Sequence, residues 1–348
     1  MRFVKLNELK PGMLSAKNIY NENGVCLLSV NKPITVFIIK QIRNMGYNGL
    51  YIHDENSAFE EFDEIISEQD RQELVKNLDS LNVDKILELT NKLVDAMLES
   101  SSFCLEFNDL RSYHNQTYQH SINVAAYSIA CAISMGYNIA EIRNVGAAAM
   151  LHDIGKRGIS LDILDKPAKL TPEERAIIEK HPKIGYEMLK DNELIPAVVR
   201  VSILHHHENE DGSGYPGHYK GDKIFKFAKI IHVADVYDAL VSKRAYKDDY
   251  DPAEAIEYLM GNCGNMFDLD VVNVFLKNVV VYPVGTEVIL SNGQEARVVK
   301  NRSLNALRPV LLGSDGNTID LGNDPNYLSV TIIGTKNDYK VEKRYKEV

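Results

Sequence analysis

Asn138 to Lys156 reads NIAEIRNVGAAAMLHDIGK. Asn138 followed three residues later by Glu141 is a capping-box pattern, which opens a helix. The alanine-rich run behind it predicts a helix continuing to Gly155. Near its end stands a His–Asp pair, His152-Asp153, followed by Ile154, Gly155 and Lys156. Two further starts bear the same punctuation. Thr171-Pro172-Glu173-Glu174 offers a cap, proline in the first turn and acid at the positive helix end, and Asp251-Pro252-Ala253-Glu254 repeats it. Residues 102–281 therefore read as an all-α segment.

Histidine is the residue in excess: the chain has ten, against four cysteines and no tryptophan. Nine lie within 102–281: His114, His120, His152, His181, His205, His206, His207, His218 and His232. His120 stands 32 residues before His152, His181 stands 29 after it, inside the helix expected from Thr171, and Asp235 follows His207 by 28. Spacings of this size put each side chain on a different helix or helix end, which is how a bundle converges ligands on a metal. Imidazole and carboxylate without thiolate suit divalent iron, manganese, zinc or nickel. A carboxylate such as Asp153 has two oxygens and can bridge two ions. Water between two such ions loses a proton near neutral pH, and the ions stabilise charge on a phosphoryl group, so the chemistry implied is phosphoester hydrolysis. A single buried histidine is more often a core residue; five with two aspartates, and Gly155-Lys156 one residue beyond the pair, are not readily structural.

The remaining sequence flanks this segment. Residues 1–57 alternate short apolar runs with turns, with a hairpin signal at 21–24, a helix expected over Thr35–Met45 closed by Gly46, and a strand at 50–53: a small α+β domain. Residues 58–101 open with an acidic run and continue with helical apolar spacing through Ile86, Leu89, Leu93, Val94 and Met97. They read as a helical connector packed on the next domain, with a dimerising helix as the alternative. Residues 282–348 return to strands, with turns at Ser291-Asn292-Gly293 and Ser314-Asp315-Gly316-Asn317, and read as a small all-β module with a charged tail. The expected fold class is thus a multidomain chain: a central helical bundle between a small α+β domain and a β module.

Composition narrows the function. Of 348 residues, 45% are hydrophobic and 25% charged, which excludes a disordered or fibrous chain. A net charge of −10 speaks against a nucleic-acid polymer as partner. Cys26, Cys104, Cys131 and Cys263 form no paired motif, which suits a reducing, cytoplasmic setting. The N-terminus has no signal-peptide core, and the apolar stretch Ile122–Met135 is too short to span a bilayer and holds Asn123.

His152-Asp153-Ile154-Gly155-Lys156 together with His206-His207-Glu208-Asn209-Glu210-Asp211-Gly212-Ser213-Gly214-Tyr215-Pro216 resembles the HD-GYP domain, the cyclic-di-GMP-degrading bacterial branch of the HD phosphohydrolases. The match extends over most of 110–281, through Asp165-Lys166-Pro167, His181-Pro182, Val233-Ala234-Asp235-Val236-Tyr237-Asp238, Arg244-Ala245-Tyr246-Lys247 and Phe267-Asp268. The resemblance implies an HD-type bundle and a phosphodiesterase opening cyclic di-GMP to linear pGpG, with GMP as a further product, by means of a hydroxide between two metals. It implies that His120, His152, Asp153 and Asp235 hold one ion, and that Asp153 as bridge, His181, His206 and His207 hold the other. Lys156 would face the scissile phosphate, Tyr215 would contact the dinucleotide, and Arg244 and Lys247 would bind its phosphates or guanine. Iron or manganese is the expected metal, with zinc or nickel as alternatives. The alignment of Glu208 and Asp211 makes His206-His207 the ligand pair and leaves His205 over.

Two positions depart from the family. Some members carry a glutamate four residues before the first histidine and hold a third metal; here Gln116 stands there, so two ions are expected. The family usually continues Gly-Tyr-Pro with x-Gly-Leu-x-Gly, whereas this chain has Gly217-His218-Tyr219-Lys220-Gly221. Asp238 is expected to hydrogen-bond rather than ligate, His232 to be either a packed core residue or a support for a ligand, and His53 and His114 to lie on the surface. The alternatives in function are an HD phosphohydrolase for another cyclic dinucleotide or a nucleotide, and a catalytically silent cyclic-di-GMP receptor. A homodimer through 58–101 is the expected protein partner.

Overall fold

The computed structural model describes residues 2–21, 25–45, 47, 49–53, 66–99, 105–106, 116–166, 168–241, 252–282, 284–302 and 305–335. Contacts divide the chain into two units, Met1–Asp63 with Cys104–His114 and Val279–Val348, and Glu64–Phe103 with Asn115–Asn278. This regroups the four segments read from the sequence: the two ends cluster together, and the helices of 58–101 cluster with the central bundle.

In the first unit β1 (Arg2–Lys5) pairs antiparallel with β4 (Gly49–Ile52), and β2 (Ile19–Tyr20) with β3 (Cys26–Leu28). Helix α1 (Val36–Asn44) starts where the Thr35 hydroxyl accepts the Ile38 N–H at 3.2 Å. Ile38 and Ile42, one turn apart, enter a core with Val4, Ile19, Ile34, Leu50 and Ile52. β5 (Leu105–Glu106) lies parallel to β6 (Val279–Val280). The β module is a five-stranded antiparallel sheet of β7 (Glu287–Leu290), β8 (Glu295–Lys300), β9 (Val310–Gly313), β10 (Thr318–Asp320) and β11 (Ile332–Thr335), in the order β10-β9-β8-β7-β11. Val288, Leu290, Ala296, Val298, Leu311 and Ile319 fill its core.

The second unit is helical: α2 (Glu68–Ser80), α3 (Val83–Glu99), α4 (Gln116–Ser134), α5 (Ile139–Leu151), α6 (Leu161–Leu164), α7 (Pro172–Ile178), α8 (His181–Leu189), α9 (Ala197–His205), α10 (Lys226–Val241), α11 (Pro252–Gly261) and α12 (Leu269–Asn278). Helix α4 is the axis of the bundle, touched by α5, α10 and α12. Every residue from Ser121 to Ala132 is buried, which accounts for the membrane-like run at 122–135. Among the described residues no helix is long and apolar enough to cross a membrane. The apolar face of α3 (Ile86, Leu89, Leu93, Val94 and Met97) is buried against its own unit, so it is not left for a second copy.

The caps expected at Asn138 and Thr171 form, and Asp251 lies outside the described residues. Asn138 and Glu141 make a reciprocal capping box, as do Thr171 and Glu174. Two helix ends differ from expectation. Helix α5 stops at Leu151 instead of running to Gly155, and Ile154–Gly158 continues as a 3-10 turn. His181 does not lie inside the helix that Thr171 opens: α7 ends at Ile178, and His181 begins α8. At each break a histidine Nδ1 meets a carbonyl of the preceding turn, His152 that of Ala149 and His181 that of Ile178, and at the second Pro182 has no N–H to offer the Ile178 carbonyl.

Candidate metal centre

The seven expected ligands arrive from separate elements. His120 projects from α4, His152 and Asp153 occupy the break after α5, His181 opens α8, His206 and His207 follow α9, and Asp235 sits on α10. The structure brings them together. One ligand atom each from Asp153, His181, His206 and His207 lie within 4.8 Å of one another, as do those of His120, His152 and Asp153, and those of His152, His206 and Asp235. His152, Asp153, His181, His206 and Asp235 are buried.

Ring orientation follows from the backbone. Nδ1 of His152 lies 2.7 Å from the Ala149 carbonyl, Nδ1 of His181 2.8 Å from that of Ile178, and Nδ1 of His206 2.6 Å from that of Ile203. A carbonyl only accepts, so Nδ1 donates in each ring and Nε2 keeps its lone pair. Those lone pairs converge: Nε2 of His181 and of His206 are 3.2 Å apart, with no proton left to place between them. Nε2 of His152 and Oδ1 of Asp153 are buried and find no hydrogen-bond partner. Buried acceptors facing one another are costly unless a cation sits among them. This donor set fits divalent metal.

Asp153 stands between the clusters. Its Oδ1 lies 3.3 Å from His181 Nε2, and its Oδ2 lies 3.5 Å from His152 Nε2 and 4.0 Å from His120 Nε2. Asp235 reaches His120 Nε2 at 2.9 Å, His152 Nε2 at 3.8 Å and His207 Nδ1 at 3.7 Å. Burial pushes His152, His181, His206 and His207 below the ordinary imidazole range, which keeps them neutral and able to ligate. Burial would lower His120 as well, but its bonds to Asp235 and Asp238 raise it to about 10. Burial alone would raise Asp153, yet Lys156 and the surrounding imidazoles hold it well below the carboxylate range. The site thus keeps two anionic carboxylates beside four rings that burial holds neutral, with His120 alone favouring its proton between Asp235 and Asp238.

Lys156 Nζ donates to Asp153 Oδ2 at 2.5 Å and remains partly exposed. The Gly-Tyr-Pro segment folds back onto the ligands. The Tyr215 ring lies 4.8 Å from that of His207, tilted by 31°, and meets His181 edge-on at 6.4 Å. The Tyr215 N–H donates to the His207 carbonyl at 3.1 Å, and the Tyr215–Pro216 peptide is cis. Gly214 permits this approach: a Cβ there would stand 2.3 Å from the His207 carbonyl oxygen. Glu208, 2% exposed, accepts the N–H groups of Gly217 at 2.6 Å and Tyr219 at 2.9 Å and so closes the loop. His218, where the family favours glycine, has a φ of 54°, the left-handed conformation that glycine adopts most readily. The departure in sequence thus leaves a left-handed turn at this point.

Other residues take lesser places. His205 turns away from the cluster, accepting the Phe225 N–H at 3.3 Å and packing on Tyr219. His232 is buried, bonded to Asn209 at 3.0 Å and packed on Phe267. His53 is half-buried rather than on the surface. Arg244, Lys247 and His114 lie outside the described residues, and so does the side chain of Gln116. Sequence reasoning passes over Glu208 as a loop anchor and Asn123 as the partner of Asp238. The one signal for Asn123 is an amide in a run that only Ser128 and Ser134 otherwise interrupt with small polar groups.

Comparison with known proteins agrees with this picture. The sequence model of the HD domain family matches residues 86–271, more than half of the chain. A cyclic di-GMP phosphodiesterase of Pseudomonas aeruginosa is 36% identical over 64% of this chain and 53% of its own length. A 3'3'-cGAMP-specific phosphodiesterase of Vibrio cholerae is 34% identical over 62% of this chain and 42% of its own. The chain thus spans about half the length of these curated relatives. An HDG"Y"P protein from Bdellovibrio bacteriovorus shares the fold with a TM-score of 0.51 at 18% identity, over 79% of this chain and 97% of that one. The chain belongs to the HD domain family and carries the HD-GYP pattern within it.

Proposed function

We propose that this chain is a metal-dependent phosphodiesterase that opens cyclic di-GMP to linear pGpG. The observation that carries this is the convergence of buried, lone-pair-bearing imidazole nitrogens on Asp153, with Lys156 beside it. His120, His152, Asp153 and Asp235 would hold one divalent ion, and Asp153, His181, His206 and His207 the other, iron or manganese ahead of zinc or nickel. Two such ions supply Lewis acidity toward phosphoryl oxygens and an acidified water as nucleophile. Asp153 presents one oxygen to each cluster. Lys156 offsets the negative charge of the phosphate, and its bond to Asp153 fixes where its ammonium stands. Tyr215 offers the dinucleotide an aromatic ring on which a guanine can stack, and Arg244 and Lys247, on the resemblance alone, bind its phosphates or guanine. Along the chain, an HD-GYP domain stands between accessory domains in this reading. The setting is cytoplasmic in the same reading, which the free Cys26, Cys131 and Cys263 suit. A homodimer through 58–101 would have to use the exposed faces of α2 and α3.

A second substrate has a specific observation behind it, the Vibrio relative that acts on 3'3'-cGAMP. Metal-loaded protein incubated in parallel with cyclic di-GMP and with 3'3'-cGAMP, and followed by chromatography, separates the readings. Product from cyclic di-GMP is expected. Product from 3'3'-cGAMP alone would overturn the substrate, and binding without product would point to a receptor.

Metal analysis by plasma emission should find two ions per chain, because an amide at position 116 is a far weaker cation ligand than a glutamate. Three fully occupied ions would refute this. Tyr215→Ala should raise KM about tenfold, the scale of one lost base–aromatic contact, while the chain keeps both ions. Loss of metal in that variant would instead make the ring's packing on His207 its main role.

A further inference from the structure

We propose that Asp238 is a positioning residue that fixes the tautomer and aim of His120 toward the metal centre; this rests on the metal-centre reading above. Three of the other ligating rings are oriented by backbone carbonyls three residues back, at breaks or ends of helices. His120 has no such recourse. It stands within α4, where backbone carbonyls are already engaged by the N–H four residues on. Its orienting partner therefore comes from another helix. Asp238, 0% exposed on α10, places Oδ2 2.6 Å from His120 Nδ1. Its Oδ1 accepts from Asn123 Nδ2 at 2.9 Å, and Asn123 Oδ1 accepts from Gln119 Nε2 at 2.8 Å. The relay fixes both oxygens of Asp238 against α4.

Asp235 and Asp238 are three residues apart on α10 and so share one face. They grip the two nitrogens of one ring: Asp238 at Nδ1, Asp235 at Nε2. Asp238 belongs to none of the three ligand clusters, so its action passes through His120. A carboxylate at Nδ1 holds the proton there, leaves the Nε2 lone pair to the metal and makes the ring a stronger donor.

A structural tie between α4 and α10 would show the same contacts, so the test must separate charge from hydrogen bonding. Asp238→Asn alone sets an amide donor against the Asn123 amide. The double variant Asn123→Asp with Asp238→Asn restores the three bonds named above. Gln119 still donates to an oxygen at position 123. The amide introduced at position 238 donates to the carboxylate introduced at position 123, and its oxygen accepts from His120 Nδ1. Only the charge has moved away from His120. Equilibrium dialysis of the full chain against manganese, with circular dichroism as the folding control, reads the outcome. The double variant should stay helical and lose affinity for one of two ions by about 10–100-fold, keeping the ion of the His181, His206 and His207 cluster. Two ions at wild-type affinity in the double variant would reduce Asp238 to a tie and overturn the proposal. A wild-type chain that binds no metal would instead overturn the metal reading on which it rests. Nitrogen-15 spectra of the zinc-loaded wild type need no variant: a proton on Nδ1 of His120 is expected, and a proton on Nε2 refutes the proposal.

Discussion

Replacing His152 and Asp153 together by alanine should empty the metal centre and lower phosphodiester hydrolysis by at least ~10³-fold, while the chain stays helical. The rate expectation follows from the several kcal/mol of transition-state charge stabilisation that a bound ion supplies, at about 1.36 kcal/mol per tenfold. The double variant strikes both clusters, since Asp153 contributes to each and His152 to the one around His120. The fold should survive because helix α5 ends at Leu151, before either residue, and its buried face is untouched. The variant loses the bond from His152 to the Ala149 carbonyl and the Lys156–Asp153 pair. It also removes two buried atoms that have no hydrogen-bond partner, His152 Nε2 and Asp153 Oδ1. These effects oppose each other, and the net change in stability of the metal-free chain should stay within about 2 kcal/mol. Plasma emission, chromatography of products and far-ultraviolet circular dichroism read the three parts of the expectation separately. Full activity in this variant would mean that the centre lies elsewhere.

The ligands are legible in the sequence because metal chemistry restricts residue type, and because packing alone rarely scatters this many histidines over separate capped helices. The caps at Asn138 and Thr171 are legible for a similar reason: the side chain that satisfies the helix end is local and specific. What cannot be read is whatever depends on groups every residue has. The carbonyls of Ala149, Ile178 and Ile203 orient three rings, yet a carbonyl leaves no mark in a sequence. The break at His152 is hidden for the same reason, since helical propensity alone would carry α5 through to Gly155, whereas the one at His181 is marked by Pro182. The bond between His120 and Asp238 spans 118 residues. The sequence points to a hydrogen bond of Asp238 but not to its partner, because pairing α4 with α10 is a matter of topology rather than pattern. In the same way, the regrouping of the chain's two ends into one unit has no local signature.

Gly155→Ala should be the most damaging single methyl in the helical unit's metal-binding region. The reason is space, not backbone conformation. A Cβ on Gly155 would stand 2.0 Å from the His181 carbonyl oxygen and 2.5 Å from the Gly185 N–H nitrogen. Both are backbone atoms of α8, so no side chain can swing aside. The glycine after the His–Asp pair therefore lets the 3-10 turn of Ile154–Gly158 lie directly on the start of α8, where His181 must aim at Asp153. Relief requires the first turn of α8 to move, and the His181 ring moves with it. Overpacking of this kind costs about 3 kcal/mol, which for a unit of this size lowers the melting temperature by roughly 10 °C. The ion held with His181, His206 and His207 should be lost first, so metal content should fall from two ions toward one. Gly158→Ala is the internal control. Its added Cβ would meet only a side chain, Ile184 Cγ2 at 2.9 Å, so strain there need not shift the backbone that carries His181. If both variants melt alike and keep both ions, the close approach of Gly155 to α8 is not what seats His181. If only Gly155→Ala loses stability and one ion together, the glycine of the His-Asp-x-Gly-Lys run is there to seat a ligand.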